Sequence, residues 1–178
     1  MSTERYLVLS ALGPDRPGIV AEVTGYVADR GGNIEDSRMA VLGGEFGVMM
    51  LISGAESDLA RIARETDLLA KEAGVDVSTR ETRSPEEHRR AQTIPCKVTC
   101  DAIDNPGIVR AVSRALHAAG LNIVSLETTS YEAPITGSPL FRLEAHCDAP
   151  RGGTIASVRA VMQGVAEQEG IDIDVRVP

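Results

Sequence analysis

The sequence predicts an α+β fold of two similar units, each with the element order βαββαβ. Three observations predict it: a motif that recurs 89 residues downstream, the alternation of strand-like and helix-like hydrophobic spacing within each copy, and a polar stretch between the copies. The recurring motif is Asp15-Arg16-Pro17-Gly18-Ile19-Val20, which returns as Asp104-Asn105-Pro106-Gly107-Ile108-Val109. The same shift maps Val23 onto Val112, Gly31 onto Gly120, Asn33 onto Asn122 and Ile34 onto Ile123. Across positions 15–34 and 104–123, nine of the twenty residues are identical. A single register with that agreement reads as a duplicated domain.

In the first copy, residues 5–12 form an apolar run of strand formers that Gly13-Pro14 ends. Val20, Val23 and Val27 recur at helical spacing until Gly31-Gly32 stops the helix. Residues 33–42 and 45–53 read as two strands joined at Gly43-Gly44, a hairpin signal. A second helical face follows at Leu59, Ile62, Ala63, Leu69, Ala70 and Ala73, with Ser57 expected as its N-cap and Gly74 beyond its end. Val75-Asp76-Val77 opens the last strand. The second copy repeats the order: strand 93–101, helix 106–119, strands 121–131 and 138–148 around a loop at 132–137, helix 154–169 and strand 171–177. The polar residues 82–92 read as a linker between domains at 1–81 and 93–178.

A βαββαβ unit of this size gives a four-stranded antiparallel sheet with both helices on one face, the ferredoxin-like arrangement. Its other face is then open, and the two copies differ there. In the first, Tyr6, Val8 and Leu12 alternate with Leu7 and Leu9, and Met49 and Leu51 alternate with Phe46, Val48, Met50 and Ile52. Both faces are apolar. In the second, Phe141, Leu143, Ala145 and Cys147 alternate with Arg142, Glu144 and His146, so one face is polar. The first copy is therefore expected to carry the larger apolar interface, with the second copy or with a second chain.

Composition excludes several classes of function. The formal charge is −8, spread over both copies, which leaves too few cations to grip a nucleic-acid backbone. Two Phe, three Tyr and no Trp supply few rings for base stacking. No apolar run approaches the ~18 residues that span a bilayer, and residues 1–5 do not begin an export signal. With three cysteines, the expected compartment is the cytoplasm. Cys96, Cys100 and Cys147 lack Cys-Xaa-Xaa-Cys spacing or paired histidines and read as small core residues, not metal ligands. His88, His117 and His146 have no triad context, and no phosphate-binding glycine loop occurs, so no catalytic residue or cofactor is expected. Arg83, Arg89 and Arg90 are diluted by Glu86 and Glu87 and read as solvated linker.

The motif itself suits a carboxylate. Asp15 stands where an N-cap would accept the Gly18 amide, and Pro17 lacks a donor that the first helical turn does not need. Gly18 lets a ligand approach main-chain amides at the positive end of a helix.

Strand, Asp-Arg-Pro-Gly-Ile-Val, helix, then Gly-Gly-Asn-Ile opening the next strand resembles the ACT domain, a regulatory module that binds amino acids. The resemblance covers nearly the whole chain in two copies, and the pairing without an appended catalytic domain resembles the glycine cleavage system transcriptional repressor group. It implies a non-enzymatic, amino-acid-sensing regulator whose ligand, glycine or a similar small amino acid, sits at an interface between two ACT units. It implies ligand-binding roles for Asp15, Arg16, Gly18, Ile19, Asn33 and Ile34, and for Asp104, Gly107, Ile108, Asn122 and Ile123. The expected partner is a protein, either a transcription factor or a metabolic enzyme, with no direct nucleic-acid or membrane contact. The apolar open face of the first copy predicts a homodimer, so light scattering at tens of micromolar should give twice the chain mass; a strict monomer would contradict it.

Overall fold

The computed structural model describes residues 4–88, 93–134, 137–149 and 154–177. The chain divides into two compact units, Met1–Arg89 and Arg90–Pro178. The first comprises β1 (Arg5–Pro14), α1 (Ile19–Ala28), β2 (Asn33–Leu42), β3 (Glu45–Gly54), α2 (Glu56–Arg64), α3 (Thr66–Ala73), β4 (Asp76–Thr82) and a single turn, α4 (Pro85–His88). The second comprises β5 (Ile94–Ile103), α5 (Ile108–Ala118), β6 (Asn122–Glu132), β7 (Pro139–Ala149), α6 (Ile155–Glu169) and β8 (Asp172–Arg176). Each unit holds one four-stranded antiparallel sheet, in the orders β2-β3-β1-β4 and β6-β7-β5-β8. The βαββαβ expectation thus holds in both copies. Arg89, Arg90, Ile135 and Thr136, from the expected linker and second hairpin loop, lie outside the described residues, as does the His88 side chain.

The helices cover one face of each sheet because the apolar residues alternate with period two along the strands. Leu7, Leu9 and Ala11 of β1 and Phe46, Val48, Met50 and Ile52 of β3 point at Val23 and Val27 of α1, Ile62 of α2 and Leu69 of α3, and all are buried. The Tyr26 hydroxyl donates to the Ile62 carbonyl at 2.7 Å, which ties α1 to α2 inside that core. In the second unit, Val98, Leu143, Ala145 and Val175 meet Val112, Leu116, Val158 and Met162.

One helix departs from the expected form. The segment anticipated as a single helix with a Ser57 cap starts two residues earlier, at the Ala55 N-cap, and breaks at Glu65 into α2 and α3. Ser57 is inside the helix, so its capping role is withdrawn. At the break the Glu65 backbone leaves helical geometry at φ −100°, and its carboxylate accepts from Arg30 Nε at 2.9 Å and Arg61 Nε at 3.3 Å.

The two cores fill the same space with exchanged volumes. Gly32 and Ile52 of the first unit correspond, by repeat and register, to Leu121 and Cys147 of the second. A methyl group at Gly32 would sit 2.8 Å from Ile62 Cδ1 and 2.9 Å from both Ile52 and Val27, so glycine there makes room for a large Ile52. In the second unit the large side chain, Leu121, comes from the strand entry, and the small one is Cys147. The substitution of Gly32 by Leu121 is therefore compensated packing.

Outside, the sheets differ as their patterns require. Leu12 and Met49, 55% and 56% exposed, join Val8 and Leu51 on the open face of the first. On the second, Lys97 pairs with Glu144 at 2.6 Å, Arg142 with Asp101 at 2.8 Å, and Arg176 with Asp174. All three cysteines face the core as free thiols, with Cys96 directly opposite Cys147. Burial pushes Cys100 and Cys147 up to about 11, so roughly 100-fold less thiolate is present at pH 8 than for an open thiol. Iodoacetamide at pH 8 should leave the native protein unlabelled and add three groups in denaturant, read by intact mass; rapid native labelling would contradict this burial.

Candidate functional site

Each β1–α1-type turn is built by its glycine. Gly18 and Gly107 occupy the left-handed region at φ 91° and 105° and are the N-caps of α1 and α5, with no side-chain capping hydrogen bond on either helix. That geometry starts the helix at Ile19 or Ile108, three residues later than an Asp N-cap would allow. The expectation that Asp15 caps the Gly18 amide is thereby overturned, and Pro17 precedes the helix instead of entering its first turn. Asp15 instead donates its backbone N–H to the Gly44 carbonyl at 2.9 Å, fastening the turn to the β2–β3 hairpin. Asp104 does the same with Pro139 at 3.0 Å, and its carboxylate accepts from the Ser130 hydroxyl at 2.9 Å.

No side chain caps the first amides of either helix, which lie at the positive end of the helix dipole; the Ile19 N–H reaches the Arg16 carbonyl at 3.4 Å. Ile19 and Ile108, named as site residues, are buried; they anchor the helix starts in the core. Asp15, Arg16, Pro17 and Gly18, with Met39 and Val41 of β2 and Phe46 of β3, line a surface cleft of about 480 Å³. A larger groove of about 580 Å³ lies on the other flank of the turn, against Lys71 and Asp76, and takes in no residue of the motif.

Arg16 is committed within the protein. It grips Glu22 with both terminal nitrogens, at 2.7 and 2.5 Å, and also donates to the Ala73 carbonyl at 3.1 Å. This links the turn to the end of α3. The Arg16 hydrogen bonds hold the Glu22 carboxyl below its ordinary range. The second copy has Asn105 and Ala111 at these two positions, so fork and acceptor are absent together. Glu22 was not singled out in the sequence, yet that paired replacement across the repeat was its signal.

Asn33 and Ile34 open β2 at the far end of the sheet. Register places Asn33 opposite Ser53, whereas the turn lies level with Glu45 and Leu42. A strand of ten residues is roughly 30 Å long. Asp15 and Asn33 of one unit therefore cannot contact one amino acid, and Asp104 and Asn122 are separated in the same way. Ile34 and Ile123 pack against the cores. Around Asn33 the structure adds residues that the sequence reading missed. Its Nδ2 donates to Glu35 Oε1 at 2.7 Å, and the buried Ser53 hydroxyl donates to the same oxygen at 2.6 Å. Ser53 ends an otherwise apolar strand, which is the signal that marked it.

Comparison with known proteins bears on the family and the fold. The ACT-domain profile matches residues 5–80. The glycine cleavage system transcriptional repressor of Escherichia coli (strain K12) is 30% identical over 168 residues, covering 94% of this chain and 87% of that protein. A crystal structure of an unknown protein from Galdieria sulphuraria superposes with a TM-score of 0.78 and 31% identity over 98% of both chains. Another structure, provisionally described as a glycine cleavage system transcriptional repressor, gives a TM-score of 0.73 at 24% identity over 98% of both, a likeness of fold.

The left-handed glycine can be tested directly. Gly18→Ala should cost about 1–2 kcal/mol in urea denaturation, because an L side chain is strained at φ 91°. Gly25→Ala, in the α1 interior with open space around it, should instead stabilise by about 0.4–1 kcal/mol.

Proposed function

Because this chain belongs to the ACT-domain family, in the tandem form of the glycine cleavage system transcriptional repressors, we propose that it is an amino-acid-sensing regulator. In this reading it has no catalytic activity of its own, works in the cytoplasm, binds a small amino acid such as glycine, and represses transcription through a protein partner. The observation that carries the reading is the uncapped helix start on a left-handed glycine, present in both copies and beside an acid. Those amides and the helix dipole suit the carboxylate of a zwitterion.

The ammonium needs acceptors, and the Asn33 end of the module supplies them. The separation of the two ends means that one ligand is completed by a second module, which the proposed homodimer provides. Ligand binding then stabilises one pairing of modules, and the partner reads that pairing. A protein partner is favoured over direct DNA contact because the chain carries a net charge of −8. Among the described residues, no helix is long and apolar enough to cross a membrane.

A thermal-shift screen of the twenty amino acids tests the reading. An amino acid at a hundredfold its Kd adds about 2.7 kcal/mol of stability, and the melting temperature rises by several degrees. A flat response to all twenty would overturn the sensing role. Affinity capture from extract with the ligand present should then recover a DNA-binding regulator. Recovery of an amino-acid metabolic enzyme instead would reassign the protein as that enzyme's regulatory subunit.

A further inference from the structure

We propose that Glu35 is the ammonium-binding group of the amino-acid site and that the first unit, not the second, is the one that senses. This rests on the amino-acid-sensing reading above and extends it to a residue outside the repeated motif.

Glu35 occupies a β-bulge: the pairing of β2 with β3 shifts between Ile34 and Asp36, so Glu35 has no cross-strand partner in the ladder. Its carboxylate is nevertheless fixed. Ser53, 1% exposed, donates from its hydroxyl at 2.6 Å, and Asn33 Nδ2 donates at 2.7 Å. Both bonds end on Oε1. The Ser53 bond first, and the Asn33 bond second, hold the Glu35 carboxyl below its ordinary range, so it is ionised at neutral pH.

The same contacts orient Asn33. A carboxylate only accepts, so the Asn33 amide must turn its NH2 to Glu35, which directs its own Oδ1 away. The cluster thereby presents Oε2 of a fixed anion and the Asn33 carbonyl oxygen at an exposed corner of the sheet. Two acceptors with a full negative charge recognise an ammonium and repel a carboxylate. This is the complement of the helix start, which offers donors and positive potential. The two ends of the module thus match the two ends of a zwitterion.

The second unit lacks the device. Its bulge, between Ile123 and Ser125, holds Val124, 62% exposed, and the position of Ser53 is taken by Asp148 opposite Asn122. A valine offers an ammonium nothing. The repeat kept the asparagine and replaced Glu35 by valine. Its carboxylate sits instead on Asp148 of the neighbouring strand, with no hydrogen bond to Asn122 among the described residues, so nothing orients that amide as Glu35 orients Asn33.

Isothermal titration of the full-length protein with glycine, L-alanine and L-serine, each against its hydroxy-acid counterpart (glycolate, L-lactate and L-glycerate), tests the assignment. The hydroxy acids keep the carboxylate and replace the ammonium. The wild-type protein should bind at least one amino acid well above its counterpart. Glu35→Gln should weaken that amino acid roughly 10- to 100-fold while leaving the hydroxy acid unchanged. Ser53→Ala should weaken it less, Glu35→Asp should retain more than Glu35→Gln, and Asp148→Asn should have no effect. Wild-type affinity in Glu35→Gln, or an equal loss for both ligand classes, would overturn the role of Glu35 and leave the sensing reading intact. Failure of the wild-type protein to bind any of the three amino acids, with a flat screen of all twenty, would overturn both.

Discussion

The constraint on which the rest depends is strand direction. In the sheet order β2-β3-β1-β4, β1 and β2 both run antiparallel to β3 and therefore parallel to each other. The turn that follows β1 and the residue that opens β2 must then lie at opposite ends of the sheet, about one strand length apart. The donors at Gly18 and the acceptors at Asn33 and Glu35 are kept from neutralising each other inside the unit. Each stays available to a ligand or a second module, which makes the fold suited to ligand-dependent pairing.

The duplicated units have diverged where packing and charge allowed it. Core volume is conserved by exchange: Gly32 with Ile52 on one side, Leu121 with Cys147 on the other. The turn is braced by Arg16, Glu22 and the Ala73 carbonyl in the first unit, and both side chains are replaced in the second. The open faces have separated furthest. One displays Val8, Leu12, Met49 and Leu51, and the other is laced by Lys97–Glu144 and Arg142–Asp101 pairs. Exposed ion pairs of that kind contribute little stability but keep a sheet face wet and unattractive to another apolar surface. An apolar face does the opposite, consistent with assigning assembly to the first unit.

Much of this was legible without coordinates. The 89-residue repeat, period-two strands and period-3.6 helices are local patterns, and they located every element except the short α4 and the break at Glu65. At the break Glu65 is held by Arg30, 35 positions away, a contact that no local pattern encodes. The Asp15 cap failed for a related reason. Helix capping is a competition between geometries, and the left-handed Gly18 moved the helix start beyond the reach of that carboxylate.

By itself, then, the sequence determined the duplicated α+β architecture, the burial of the three cysteines and the residues of the turn, since each follows from spacing along the chain. Tertiary structure alone decided what those residues touch. It turned Arg16 onto Glu22, separated Asp15 from Asn33 by the length of a strand, and brought Ser53 to Glu35 across eighteen positions. The physical reason is that hydrogen bonds and ion pairs act over about 3 Å in space, whereas a sequence records only distance along the backbone.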